Sequence, residues 1–406
     1  MVTIYFGGFM RILIVNHFPL VGSGSGIYVS DIAKSLYKKG HQVCIIMPEN
    51  TTNISCIEGV KIHPVFLKRE EIIEGQLDFN FPCMDAHPRS SFIFNDMTEL
   101  QINQYVAAFR KAIEEEIIEF KPDVIHVQHI WIISGLLKYY NIPYVITSHG
   151  AEFITYNKTN MFDKFGFDAV EGAKKIIAIS KENEDEIIKK FPMAKNKLMF
   201  VRNGYNHHMF FVKDVNKKAV LKELGVEQKF DKIVLFVGRV SKMKGLDVLL
   251  KAAKMYEKDN VATLIVGDGE YRGYLEKLKE ELNLKNIIFL GNKPHKELNN
   301  LYNIADVFVL PSKKEALPLV AIESLACGTP AIVTDKTGME DIINKDVGLT
   351  FEMDNDKMLA EKINSVLNKD IVFYSEQLAE CAKNNYSQEA LMNTLLKIYE
   401  EVKEQE

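Results

Sequence analysis

Two glutamates eight residues apart, Glu315 and Glu323, bound the segment EALPLVAIE and carry the strongest local chemical signal in the 406-residue chain. The apolar run 307–310 reads as a buried strand, which Pro311-Ser312 ends. Pro318 suits the first turn of a helix, where a missing N–H costs little. Glu315 then falls in the loop before that helix and Glu323 about one turn inside it. A helix start offers free N–H groups and a partial positive charge, which suits a diphosphate. Carboxylates on either side of such a seat can accept hydrogen bonds from hydroxyls. A helix with one capping and one exposed glutamate has the same spacing, so both readings stand at this level.

Three further clusters share the pattern of polar residues just after an apolar run. Gly238-Arg239 and Lys244-Gly245 follow the run 232–237, and carboxyl ends of strands are where open α/β sheets bind ligands. Arg239 can pair with phosphate oxygens as a fork and Lys244 as a point charge. The order G-x-x-x-x-G-K-[ST] is absent, so this is not a P-loop, and a solvated basic loop fits equally well. Gly22, Gly24 and Gly26 alternate after the run 11–17 and lack the spacing of a dinucleotide fingerprint; a loop that brings backbone close to a phosphate fits them better. Thr147-Ser148-His149-Gly150 ends another run, with His149 placed to face a ligand or to serve the structure. His126, His129, His207 and His208 lack a partner pattern and carry less weight. The sole Asp-x-Asp pair, Asp354-Asn355-Asp356, precedes a helical segment and reads as a cap, so no metal site is expected.

The elements that position these residues follow one grammar. Run 11–17, a helical pattern with Ile32, Ala33 and Leu36 on one face, Gly40, and run 43–47 make a βαβ unit. The same grammar restarts with a strand in 232–239 that ends at Gly238, a helix over about 246–256 and a strand over 262–267. Further strands are expected at 123–127, 144–147, 175–179, 197–201, 287–290 and 331–334. Two independent starts predict an α/β chain of two doubly wound domains. The segment 68–98, with Pro82, Cys83, His87, Pro88 and Arg89, fits no βαβ pattern; it is either a site-lining insertion or a packed excursion.

Composition bounds the partners. The chain is 47% hydrophobic and 26% charged with a net charge of -5, which gives no footprint of a nucleic-acid binder. Five cysteines without a CxxC spacing point to a reducing cytoplasm rather than a disulfide or zinc scaffold. No apolar run reaches the roughly 18 residues that span a bilayer. The first nine residues lack the features of a signal peptide, and Met10 stands just before the first strand, so the prefix reads as a start-site extension.

Taken in order, these pieces resemble the family-four retaining glycosyltransferases of the two-domain GT-B fold. The resemblance runs from Arg11 to about Tyr399. It rests on the glycine loop 22–26, Gly40-His41-Gln42-Val43, Pro122-Asp123-Val124-Ile125-His126, His149-Gly150, Ile179-Ser180, Arg202-Asn203-Gly204, Gly238-Arg239 with Lys244-Gly245, Gly267-Asp268-Gly269-Glu270, Ala305-Asp306, Pro311-Ser312 and the Glu315/Glu323 pair. It implies two Rossmann-like domains facing across a cleft, an acceptor-side domain over 10–205 and a donor domain over 206–380, with a helix in 381–406 returning to the first.

The resemblance also implies roles. Arg239 and Lys244 hold the donor diphosphate, with Gly238 beside them and backbone N–H groups of Leu319 and Val320 on the phosphate. Glu323 binds the ribose, Lys293 borders the base, Gly24 lets the first-domain loop approach the donor, and His149 hydrogen-bonds the sugar. Glu315 lies near the reacting carbon. Many relatives carry glycine where Pro318 stands, and proline has no N–H to give a sugar hydroxyl. The implied reaction moves a hexose or N-acetylhexosamine from a nucleoside-diphosphate sugar, UDP favoured, to a glycan, lipid-linked sugar or small metabolite. It needs neither cofactor nor metal, since the nucleotide sugar is a co-substrate, and a lipid acceptor would bring peripheral membrane contact. A nucleotide-sugar 2-epimerase and a non-catalytic sugar-nucleotide-binding protein are the alternatives.

Overall fold

The computed structural model describes residues 8–51, 54–68, 75–85, 87–201, 204–226, 230–257, 260–313, 319–335, 337, 339 and 342–404. The chain divides into two compact units, Met1–Arg202 with Met392–Glu406, and Asn203–Leu391. Each unit is built on one parallel sheet with its own apolar core.

The first sheet holds β1 (Arg11–Val15), β2 (Gln42–Glu49), β3 (Lys61–Phe66), β4 (Val124–Gln128), β5 (Tyr144–Ser148), β6 (Lys175–Ala178) and β7 (Leu198–Phe200) in the order β3-β2-β1-β4-β5-β6-β7. The second holds β8 (Lys232–Val237), β9 (Val261–Val266), β10 (Ile287–Gly291), β11 (Val307–Leu310), β12 (Ala331–Thr334) and β13 (Gly348–Phe351) in the order β10-β9-β8-β11-β12-β13. Central strands such as β8 and β11 are apolar runs because both faces of a parallel sheet are covered. In each unit the chain first winds one way and then the other. The winding reverses between β1 and β4 and between β8 and β11, and at such switch points the loops after neighbouring strands diverge and leave a crevice.

Two strands escape the pattern of the sequence, β3 and β13, and both lie at sheet edges. β3 contains Pro64, which removes a ladder donor and is tolerated there because an edge strand has a free side. The segment 68–98 is a packed excursion in its described parts. Phe79, Phe81, Cys83, Met84 and Phe94 are buried in the first core. It also reaches the loop after β1: the His87 ring lies parallel to Phe18 at 6.3 Å, and a Cβ on Gly22 would stand 2.8 Å from that ring.

The last helix, Gln388–Lys403, starts in the second unit, and its residues from Met392 onward belong to the first. There the Tyr399 hydroxyl pairs with His126 Nδ1 at 2.7 Å. Residues 381–391 stay with the second unit. Among the described residues no helix is long and apolar enough to cross a membrane.

Candidate functional site

In the second unit, three loops are tied together at the carboxyl edge of the sheet. Val240 N–H donates to the Asp268 carbonyl and Tyr271 N–H to the Val240 carbonyl, joining the loops after β8 and β9. Lys313 N–H donates to the Met243 carbonyl at 2.8 Å, joining the loops after β8 and β11 across the switch point. Gly245 makes the last contact possible. Its φ is +65°, a left-handed conformation, and a Cβ there would lie 2.0 Å from the Pro311 carbonyl oxygen.

The residues singled out from the sequence fall on this scaffold. Arg239 is 74% exposed, and its guanidinium pairs with Glu270, after β9, at 3.1 Å. Lys244 ends the short 3₁₀ turn Lys242–Lys244 and is half-buried, as is Lys293 after β10. Leu319 and Val320 open the helix Leu319–Ala326 that follows β11. One turn in, Glu323 is buried, and Tyr302 on the helix His295–Ile304 donates its hydroxyl to Glu323 Oε2 at 3.0 Å. Burial pushes the Glu323 carboxyl up to about 7, and the Tyr302 hydrogen bond offsets part of that rise. Glu323 is therefore a buried carboxylate with one oxygen taken and one available, not the exposed glutamate of the alternative reading. Glu315 and Pro318 lie outside the described residues. Asp354 and its neighbours form a helix start: Asn355 caps the helix Asp356–Leu367 by accepting from Met358 N–H, and Asp354 pairs with Lys313 at 2.7 Å.

In the first unit, Gly24 opens the helix Gly24–Lys38, where the Ser23 hydroxyl accepts from Gly26 N–H at 3.0 Å. A Cβ on Gly24 would meet no atom within 4 Å, so the helix start is open. His149 follows β5. Its Nε2 lies 2.9 Å from the Gln128 Oε1 at the end of β4, and its ring meets Tyr28 edge-on at 5.2 Å and His129 at 4.9 Å. Burial, reinforced by His129, pushes the His149 imidazole well below its ordinary value, so the ring is neutral at pH 7.

Two histidines given little weight in the sequence have partners after all. His126 is buried between Thr147 Oγ1 and Tyr399, both at 2.7 Å. His129 takes the left-handed φ of +68° just past β4, and its Nδ1 meets Glu152 Oε2 at 3.0 Å, both side chains buried. Glu152 also accepts from the Ser148 hydroxyl at 2.6 Å and from Ile130 N–H at 3.2 Å. Burial alone would raise its carboxyl; His129 and these donors outweigh it and hold the group well below the usual range. His129 thus combines a left-handed backbone conformation with a buried carboxylate partner. No sequence spacing announces it, because Glu152 comes from the start of the short helix Glu152–Tyr156 that follows the next strand.

Comparison with known proteins assigns the lineage. Residues 22–208 match the model for Glycosyltransferase Family 4, and residues 217–388 match Glycosyl transferases group 1. The chain belongs to the family-four glycosyltransferases. It is 27% identical over 380 residues to an uncharacterized glycosyltransferase of Methanocaldococcus jannaschii, covering 86% of each chain. It is 26% identical over 382 residues to the glycogen synthase of Mycobacterium tuberculosis H37Rv, covering 88% of this chain and 86% of that one. Among solved structures, Anabaena HepE in complex with UDP superposes with a TM-score of 0.70 at 16% identity, over 97% of this chain and all of that one. Two Rossmann-like units on parallel sheets make this glycosyltransferase a GT-B protein. The tied loops after β8, β9 and β11 are thus the carboxyl-edge crevice of its second Rossmann-like unit.

Proposed function

We propose that this glycosyltransferase moves a hexose or N-acetylhexosamine from a UDP-sugar to a hydroxyl acceptor in the cytoplasm, with retention at the anomeric centre and without a metal or other cofactor. The observation that carries the reading is the second-unit seat. Arg239 and Lys244 stand on a loop locked to its neighbours at the switch point, and the buried carboxylate of Glu323 lies one turn into the adjoining helix. As the sugar leaves, the diphosphate gathers negative charge. Arg239, Lys244 and the N–H groups of Leu319 and Val320 stabilise it, the role a metal ion plays elsewhere. To do so Arg239 exchanges its pairing with Glu270, a weak solvent-screened contact, for a phosphate fork. The free oxygen of Glu323 accepts from the ribose hydroxyls, and Lys293 borders the base. Glu315 and His149 contact the sugar. The UDP preference is supported by the UDP complex of HepE. The acceptor is a glycan, a lipid-linked sugar or a small hydroxylated metabolite.

The test is a thermal-shift panel of UDP-, GDP-, ADP- and dTDP-sugars against the full chain. A ligand that binds only the folded state stabilises it by about 2.7 kcal/mol at a hundred times its dissociation constant. The expected result is the largest shift with a UDP-sugar. A larger shift with another nucleotide moves the base assignment to that nucleotide, and no shift with any of them overturns the donor seat.

A further inference from the structure

Three helices that pack side by side in the first unit differ in length, and the difference leaves a groove. Ile132–Leu136 has only five residues and packs against both the 21-residue helix Glu99–Glu119 and the ten-residue helix Asp163–Gly172. Gly135 lets the short helix sink against its neighbour, since a Cβ there would stand 2.5 Å from the Phe165 carbonyl oxygen. The groove has a volume of about 320 Å³ and is lined by all three helices and by Tyr139. No loop that follows a strand reaches it, so it is separate from the carboxyl edge of the first sheet. Three charged side chains line it. Asp168 is already engaged: Oδ1 accepts from Lys138 Nζ at 2.9 Å and Oδ2 from the Tyr139 hydroxyl at 3.2 Å. Arg110 and Lys164, one on each of the two longer helices, have no hydrogen bond or ion pair among the described residues. Glu114, one turn beyond Arg110, accepts instead from the Tyr140 hydroxyl at 2.9 Å.

We infer that this groove is a second ligand site, which binds a small phosphorylated sugar with its phosphate between Arg110 and Lys164 and its ring against Leu136, Phe165 and Tyr139. Single unpaired cations are ordinary on a surface; two that line one concave, largely apolar groove converge on a common anion. Arginine meets a phosphate as a fork and lysine as a point charge. The size of the groove selects against a bare ion. It has room for about ten waters at about 30 Å³ each, the lower end of the range for small-molecule sites. The remaining polar groups select the body that fills it. Asn103 and the unused lone pairs of Asp168 can bond to hydroxyls. An anion with a purely apolar body would strip water from both without replacing it, which is costly. A sugar ring offers hydroxyls to these groups and an apolar face to the Tyr139 ring. The inference is independent of the donor seat, which lies in the second unit.

The experiment is a calorimetric titration of glucose 6-phosphate, inorganic phosphate and glucose into the full chain, with UDP in excess to fill the donor seat and again without it. Glucose 6-phosphate is expected to bind once per chain with UDP present, inorganic phosphate about tenfold more weakly or worse, and glucose without measurable heat. Arg110→Ala and Lys164→Ala are each expected to weaken glucose 6-phosphate about five- to tenfold, and the double variant to lose it. Lys111→Ala, next to Arg110 on the same helix but paired with Glu115, is expected to bind as the native chain does. All variants are expected to keep the native melting profile, since these side chains are exposed. Absence of glucose 6-phosphate binding to the native chain overturns the inference, as does native affinity in the double variant. Equal affinity for inorganic phosphate also overturns it, by reducing the groove to a bare anion contact. Binding that disappears with UDP present and is weakened by Arg239→Ala overturns it too, by placing the sugar phosphate in the donor seat. Failure of UDP itself to bind counts against the donor seat alone and leaves the titration without UDP to decide the groove.

Discussion

Glu323 gives the sharpest quantitative consequence of the donor seat. Its carboxyl is raised by burial from 4.5 to about 7, so the fold holds that proton more tightly than the unfolded chain does. The sign follows from linkage: stability falls as pH rises from the ordinary carboxylate value through about 7, and levels off above it. The displacement corresponds to about 3 kcal/mol as an upper bound. Donor binding has the opposite slope, because only the ionised carboxylate accepts fully from the ribose hydroxyls. About one-tenth of Glu323 is ionised at pH 6 and about nine-tenths at pH 8, so the dissociation constant of a UDP-sugar is expected to rise about tenfold on going from pH 8 to pH 6. A UDP-sugar is the right ligand because its diphosphate is a diester without the second ionisation near pH 6 that a terminal phosphate has. Calorimetric titrations at pH 6, 7 and 8 read the slope directly. Glu323→Gln should bind more weakly and without that slope. A flat profile in the native protein, or the same slope in Glu323→Gln, refutes the argument.

Three other outcomes are expected. Transfer activity should survive EDTA, and adding back magnesium or manganese should not raise it; a strict metal requirement would show that Arg239 and Lys244 do not carry the diphosphate alone. Glu315→Ala should reduce transfer while leaving free UDP binding largely intact, measured by turnover and calorimetry on the same preparation; loss of UDP binding with transfer spared at saturating donor would exchange the roles of the two glutamates. Gly245→Ala should destabilise the protein by about 1–3 kcal/mol or more in thermal unfolding, because a left-handed φ and a 2.0 Å approach to the Pro311 carbonyl leave no room for a Cβ; an unchanged melting profile would mean that the loops after β8 and β11 are not locked.

The fold was legible where periodicity and burial agree. Central strands such as 232–237 and 307–310 are apolar on both faces and read directly as parallel-sheet core. The edge strands β3 and β13 were not, because one side of an edge is free and a proline or a half-polar pattern is tolerated there. The seat was legible as far as residues near each other in sequence could suggest it. Arg239, Lys244 and Glu323 all stand at the carboxyl edge of the second sheet or in the helix that follows β11. What sets their chemistry was hidden, since Tyr302 comes from the preceding helix and Glu270 from the loop after β9. The histidines of the first unit show the same limit. His126 and His129 have no local partner pattern because Thr147, Glu152 and Tyr399 reach them only through sheet order and the returning last helix.

The donor seat is tested most directly by titrating the UDP-sugar that stabilises the native chain most into Arg239→Ala and Lys244→Ala, with the native protein as reference and EDTA present throughout. Each substitution removes a charge-assisted contact to the diphosphate, a loss of about 1.5–3 kcal/mol, or roughly ten- to more than a hundredfold in affinity. The account predicts one binding event per chain in the native protein and that degree of weakening in each variant, with both variants folded. Native affinity in both variants would contradict it and place the diphosphate elsewhere.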